Sequence, residues 1–180
     1  DRKINAEKIR NIFLGLNDGL VEILRAVSGF FGAFGEATMV LIAASTTAVA
    51  GALSMAAGAF LALNSEKEVK TTEIAKKIFL GEASEVIPME ESPIGSALVV
   101  GTAYIAGAIV PVLPVIFGAT SALFSVLTAG LMLIVVSTDL SFLSGMDVTR
   151  RIFLNLALIT IAVSVTYGIG VFAKHLWGIA

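Results

Sequence analysis

Long apolar runs alternate with short polar segments along this 180-residue chain. Residues 37–63 and residues 92–138 contain no charged side chain. A membrane-spanning helix needs about 20 apolar residues, so the first run predicts one span and the second predicts two. Apolar stretches at residues 9–34 and 152–172 bring the prediction to five transmembrane helices.

Composition supports the same interpretation. The chain is 57% hydrophobic and 14% charged, whereas soluble domains carry roughly a quarter of charged residues. We therefore expect an all-α integral membrane protein whose surroundings are the lipid bilayer. The net charge of −2 argues against nucleic acid as a partner. Because the chain has no cysteine, disulfides and thiolate metal sites are excluded.

The predicted spans divide the chain into three parts. Residues 1–63 hold transmembrane helices 1 and 2, residues 64–92 form a short cytoplasmic acidic helical segment, and residues 93–180 hold helices 3 to 5. Basic residues concentrate before helix 1, between helices 2 and 3, and between helices 4 and 5. The positive-inside rule then predicts a cytoplasmic N-terminus and a C-terminus that is outside or lumenal. Without a eukaryotic-looking extension, we expect a multi-pass protein of a prokaryotic plasma membrane.

The first helix carries ionisable groups where lipid is expected. Asp18, Glu22 and Arg25 stand at i, i+4 and i+7, which places all three on one helical face. An ionisable side chain at bilayer depth costs at least about 2.5–3.5 kcal/mol, so such groups mark pathways or partners. This face is the first candidate for a functional surface.

Two interpretations of these carboxylates remain open. A carboxylate is a hard oxygen ligand for Mg²⁺, Ca²⁺, Mn²⁺ or Fe²⁺, and it can also carry a proton. Alternatively, Arg25 pairs internally with Glu22, three residues before it. Asp18 is further from Arg25 along the helix, and the functional interpretation is stronger for it.

The second helix is rich in small residues at four-residue spacing. Two rows are present, one formed by Ala48, Ala52 and Ala56 and one by Ala50, Ser54 and Gly58. Such rows let helices approach closely in lipid. Met55 lies among them. Its thioether is a soft ligand that can assist borderline ions, although methionine also serves as a gap filler.

The segment between helices 2 and 3 has two halves. Glu66 and Lys70 have i, i+4 spacing, as do Glu73 and Lys77, so the first half predicts a salt-paired surface helix. The second half has acidic residues without a basic partner. Glu82, Glu85, Met89 and Glu90 form either a hard-cation site or a solvated acidic linker.

The motifs together resemble the vacuolar iron transporter family, which includes bacterial and archaeal relatives and the nodulin-like transporters. The sequence Asn17-Asp18-Gly19-Leu20 is similar to the first-helix motif, and residues 51–58 are similar to the second-helix motif. Residues 104–114, with Gly107 and a Pro-x-x-Pro sequence, are similar to the third. The resemblance covers the whole chain in order.

The resemblance implies a homodimer of five-helix protomers with the ion path at the dimer interface. Asp18 would be the intramembrane carboxylate of this path and Met55 its thioether ligand. Many members have a glutamate two turns before the methionine, where this chain has Thr47. Glu22 is a conjectural replacement for that carboxylate. The Glu-rich cytoplasmic domain of the iron-storing members is short here, and Glu82, Glu85, Met89 and Glu90 would be its remnant.

We therefore expect a transporter rather than an enzyme. It would export a divalent metal, Fe²⁺ or Mn²⁺, from the cytoplasm in exchange for protons, with no tightly bound cofactor. The metal path would contain Asp18, Glu22, Met55 and Thr47, with Asp18 and Met55 as metal ligands. The alternatives are a non-transporting membrane metal sensor or scaffold, and a transporter of another cation.

Overall fold

The structure is a computed structural model that describes residues 2–81, 92–144 and 148–178. Its regular elements in these ranges are α-helices. They are α1 (Arg2–Phe34), α2 (Ala37–Phe79), α3 (Pro93–Ile116), α4 (Ala122–Ser144) and α5 (Val148–Trp177). The prediction of an all-α integral membrane protein is confirmed.

Four of these helices are long and apolar enough to cross a membrane. They are Ala37–Phe79, Pro93–Ile116, Ala122–Asp139 and Ile152–Trp177. α1 is not among these four, because Asp18, Glu22 and Arg25 lie in its middle and make it less apolar. It nevertheless contacts each of the other four helices. α1 is therefore the central helix of a multi-pass bundle.

The contacts of α1 show its direction relative to its neighbours. Asn11 lies against Ser96 at one end of α3, and Gly19 lies against Tyr104 two turns further along. Residue numbers therefore increase in the same direction along both helices, which means that α1 and α3 run parallel. α5 also runs parallel to α1, since Gly29 contacts Thr166 and later residues follow in the same order.

Glycines permit the closest helix contacts. A Cβ added to Gly19 would overlap the backbone carbonyl of Tyr104, and one added to Gly107 would overlap the carbonyl of Leu16. A Cβ on Gly170 would overlap the Gly29 carbonyl in the same way. Without Cβ atoms, the backbones of α1, α3 and α5 approach closely, which favours van der Waals packing in lipid.

The small-residue rows predicted on α2 behave differently from each other. Ala48 and Ala52 are buried, and a Cβ on Gly101 of α3 would meet the Cβ of Ala56 at 3.1 Å. This row therefore packs against α3. The other row, Ala50, Ser54 and Gly58, is exposed in the protomer.

α2 is much longer than a membrane span. Its 43 residues extend about 65 Å at 1.5 Å per residue, roughly twice the thickness of a bilayer's hydrocarbon core. The second half is polar, and Lys70 Nζ lies 2.6 Å from Glu66 Oε1 as its spacing predicts. The span and the salt-paired surface helix are one continuous element.

Two clusters of buried side chains form the interior of the bundle. The larger joins α1, α2 and α3 and includes Ile23, Val27, Val40 and Tyr104. The smaller joins α1 to α4 and α5 and includes Leu20, Leu24, Leu133 and Ile159. Because α1 contributes to both clusters, the orientation of its remaining face is fixed on two sides.

Candidate metal path

The charged side chains of α1 lie on the face that the bundle leaves uncovered. Asp18, Glu22 and Arg25 are exposed in the protomer, while Leu20, Ile23, Leu24 and Val27 on the opposite side are almost fully buried. We call Leu14, Asp18, Glu22 and Arg25 the charged face. Leu14 is 56% exposed and extends this face by one turn.

The internal ion pair between Glu22 and Arg25 does not form in the described residues. Their charged groups do not approach within 4 Å, and the ion pair found in those residues joins Lys70 and Glu66. Glu22 and Arg25 instead both act electrostatically on Asp18. The two carboxylates therefore stay available to a cation, and the guanidinium sits at the far end of the charged face.

Met55 and Thr47 occupy one row on α2, with Gly51 midway between them at four-residue spacing. All three are partly buried. The Thr47 hydroxyl donates to the Ala43 carbonyl at 2.8 Å. Its proton is therefore used within the helix, and its oxygen lone pairs remain as acceptors.

Met55 lines a cavity of about 460 Å³ between α1, α2 and α3. The cavity is lined on α1 by Arg10, Asn11 and Leu14, on α2 by Met55, Gly58, Ala59, Ala62, Leu63 and Glu66, and on α3 by Ser96 and Val100. Asn11 Nδ2 donates to Ser96 Oγ at 3.0 Å in its wall. The cavity thus connects the thioether to the charged and polar groups at one end of the bundle.

Tyr104 links the two halves of the site. The aromatic side chain of this α3 residue is fully buried. Its hydroxyl lies against Gly51 of α2 and interacts with the Glu22 carboxylate of α1. The row of α2 that holds Thr47 and Met55 therefore lies opposite the charged face of α1.

The structure places the four predicted path residues on two helices. Asp18 and Glu22 share the charged face of α1, and Thr47 and Met55 share the opposing row of α2. The predicted cytoplasmic site at Glu82, Glu85, Met89 and Glu90 lies outside the described residues. Within the described ranges, no group of three or more His, Cys, Asp or Glu side chains could hold a metal ion.

Sequence reasoning gave no role to Gly51 or to the Tyr104 side chain. The available signal was the position of Gly51, one turn from both Thr47 and Met55. A glycine in such a row indicates the close approach of another group. The identity of that group depends on how α3 packs, which the sequence of α2 does not contain.

Comparison with known proteins identifies a family. A sequence model of the VIT family matches residues 9–78 and 78–171. Vacuolar iron transporter homolog 4 of Arabidopsis thaliana is 30% identical over 117 residues, covering 65% of this chain and 58% of the relative. Vacuolar iron transporter homolog 1 of Oryza sativa subsp. japonica is 32% identical over 113 residues, covering 60% and 47%. The chain thus spans about half the length of the curated relatives it matches.

Proposed function

Because the chain belongs to the VIT family, we propose that it is a divalent-metal transporter that exports Fe²⁺ or Mn²⁺ from the cytoplasm in exchange for protons. The matched relatives are named as iron transporter homologues. The observation that carries the proposal is the charged face of α1, where two carboxylates stand exposed in the middle of a membrane helix.

A lipid-facing position for this face is unfavourable. Each ionisable group at bilayer depth costs at least about 2.5–3.5 kcal/mol on insertion scales, and the charged face has three such groups, Asp18, Glu22 and Arg25. Water, a cation or a second protein surface would remove most of that cost. A metal path along this face provides all of these.

A second copy of the chain is the surface that fits best. The exposed row of Ala50, Ser54 and Gly58 on α2 lies beside the charged face, since Gly58 and Leu14 line the same cavity. Small residues allow two helices to pack closely. A twofold axis here would bring together two Asp18 and two Met55 side chains, with Glu22 one turn from Asp18 and Thr47 two turns from Met55.

The donor set suits the proposed ions. Carboxylate oxygens bind hard divalent ions, Mn²⁺ and Fe²⁺ among them, and a thioether adds a softer donor. A cation that reaches Asp18 and Glu22 displaces any proton they hold, and protons from the acidic side of the membrane release the cation again. Exchange of metal for protons follows from this competition for the same oxygen atoms.

Flux measurements test the proposal. Proteoliposomes with an imposed pH gradient should accumulate Mn²⁺ and Fe²⁺ with the wild-type protein, and Asp18→Ala should abolish the flux. Arg150→Ala is the matched control, since Arg150 is a charged residue at the exposed end of α5. If the Asp18→Ala protein remains folded and transports normally, the proposed path is wrong. If neither ion moves with wild-type protein, a sensor or scaffold, or a transporter of another cation, takes its place.

Cysteine crosslinking tests the twofold arrangement. The chain has no cysteine, so a single introduced thiol reports on one position. Ser54→Cys should form a covalent dimer on mild oxidation in liposomes. Leu131→Cys on α4, where the native side chain is 68% exposed, should stay monomeric under the same conditions. Equal crosslinking at both positions, or crosslinking only at residue 131, would rule out the proposed interface.

A further inference from the structure

Tyr104 is a polar side chain with no contact to water. Its exposed fraction is 0%, and two glycines on two helices make room for it. A Cβ on Gly19 of α1 would overlap the Tyr104 backbone carbonyl, and a Cβ on Gly51 of α2 would overlap the Tyr104 hydroxyl. The phenol therefore crosses from α3 to α2, alongside the α1 segment that carries the charged face.

The Tyr104 hydroxyl lacks a hydrogen-bond partner among the described residues. A buried polar group without a partner is destabilising, and such groups are uncommon in folded proteins. Glu22 is one helical turn from Gly19, which lies against the Tyr104 backbone, and its carboxylate interacts with this hydroxyl. Glu22 is thus placed to accept a hydrogen bond from Tyr104.

The Tyr104 hydroxyl lies midway along the α2 row that contains Thr47 and Met55. It lies against Gly51, one helical turn from Thr47 and one turn from Met55. The hydroxyl is therefore at the centre of the α2 row that faces the path. A Glu22 carboxylate held beside this hydroxyl would lie at the height of Gly51, between Thr47 and Met55.

We propose that Tyr104 is a positioning residue for metal binding: its hydroxyl donates to Glu22 and holds that carboxylate at the level of the Thr47–Met55 row. This inference deepens the proposed function and rests on it. One oxygen of Glu22 accepts the tyrosine proton, and the remaining lone pairs point to the cation. Glu22 thereby supplies a carboxylate at the α2 row, where Thr47 offers only a hydroxyl.

The hydrogen bond forms when the carboxylate is charged and engaged with a cation. Hydrogen bonds to ionised acceptors are shorter and stronger than those between neutral groups, and partners outside the coordination sphere orient the ligands inside it. The buried Tyr104 hydroxyl then has the metal-binding carboxylate of Glu22 as its hydrogen-bond partner. Gly51 has no Cβ and so leaves the space that the Tyr104 hydroxyl occupies. It therefore supports the same hydrogen bond.

Kinetics of Mn²⁺ flux in proteoliposomes test the inference. Tyr104→Phe removes one oxygen atom, and we expect it to raise the KM for Mn²⁺ about 10- to 100-fold, the usual effect of losing such a partner. The maximal rate should change much less. Tyr167→Phe is the matched control, because Tyr167 is 45% exposed on α5 and should leave both constants unchanged.

A double-mutant cycle separates positioning from general structural support. Glu22→Gln alone should raise the KM, and Tyr104→Phe combined with Glu22→Gln should be no worse than the poorer single variant. Thermal stability in detergent without metal should be unchanged or higher for Tyr104→Phe, since the lost hydroxyl has no partner there. Gly51→Ala should raise the KM as Tyr104→Phe does, because the added methyl group displaces the hydroxyl.

Three results would overturn the inference: a wild-type KM for Tyr104→Phe, additive losses in the double variant, or loss of the fold in Tyr104→Phe. Each of these can occur while Asp18→Ala still abolishes transport, in which case the proposed function stands and only the role of Tyr104 is wrong. If Asp18→Ala transports normally, the proposed function fails as well.

Discussion

Two sets of positions on α1 are built on opposite rules. Gly15 and Gly19 against α3, and Gly29 and Gly32 against α5, bring backbones so close that little or no room remains for a methyl group. Asp18, Glu22 and Arg25 are exposed instead, and no ion pair balances their charges among the residues that the structure describes. α1 therefore combines close backbone contacts with exposed charges.

The difference separates structural from functional constraint. The glycine contacts fix where α1 lies and how it is rotated, and that rotation determines where the charges point. The charged face needs no packing partner within its own chain, because its proposed partners are a second copy and an ion. Substitutions at the two sets of positions should therefore fail in different assays.

The largest effect should come from the glycine contacts. Gly107→Leu places a side chain where the Leu16 carbonyl lies, so α1 and α3 must separate and the bundle should lose its fold. Size-exclusion chromatography and thermal melting in detergent should show aggregation or a cost of about 3 kcal/mol or more. Gly130→Ala is the control, because nothing lies within 4 Å of its added methyl group. Normal melting of Gly107→Leu would contradict the close packing.

A smaller effect, confined to metal binding, should follow from the far end of the charged face. Arg25 acts electrostatically on Asp18, so its positive charge also repels a cation held there. Arg25→Gln should tighten Mn²⁺ binding about fivefold, equivalent to about 1 kcal/mol of lost repulsion. Lys174→Gln, at the end of α5, should leave the affinity unchanged. Weaker binding in Arg25→Gln would mean that Arg25 organises the carboxylates instead.

Loss of the thioether should change selectivity more than stability. Met55→Leu conserves volume, so the melting temperature should stay close to that of the wild type. The proposed soft donor matters more for Fe²⁺ than for the harder Mn²⁺, and the affinity ratio between the two ions should shift about threefold towards Mn²⁺. Anaerobic competition binding measures this ratio. An unchanged ratio would indicate that Met55 only fills space beside the cavity.

The smallest effect should come from the polar extension of α2, away from both sets of positions on α1. The exposed Glu66–Lys70 pair should contribute about 0–1 kcal/mol, as solvated pairs on helices do. Lys70→Ala should therefore lower the melting temperature by no more than about 4 °C and leave Mn²⁺ flux unchanged. A large loss of flux would mean that the cavity beside Glu66 depends on this pair.

The sequence predicted the helices and the charged face well, because both depend on local pattern. Charge-free runs mark the apolar spans within α2, α3 and α4, although α2 continues beyond its run to Phe79. The spacing of Asp18, Glu22 and Arg25 places them on one side of any helix. The uneven charge of α1 also explains why it differs from the other four in hydropathy. Local pattern was sufficient for these features.

The sequence did not predict which helix faces pack against each other. The two small-residue rows of α2 are alike in composition, yet one packs against α3 and the other is exposed. The closest contacts lie instead at glycines of α1, α3 and α5. The Tyr104 hydroxyl is near Glu22 and Gly51 only because three helices meet there. Such proximity depends on the relative rotation and depth of the helices, which no single segment encodes.

Metal-dependent thermal stability tests the central claim, that a cation binds at the charged face of α1. Melting of the detergent-solubilised protein should be followed over a range of Mn²⁺ concentrations for wild type and Asp18→Asn. Binding to the folded state should raise the melting temperature of the wild type with increasing Mn²⁺, and Asp18→Asn should lose that increase while melting normally without metal. An equal increase in both proteins would place the ion elsewhere and contradict the account.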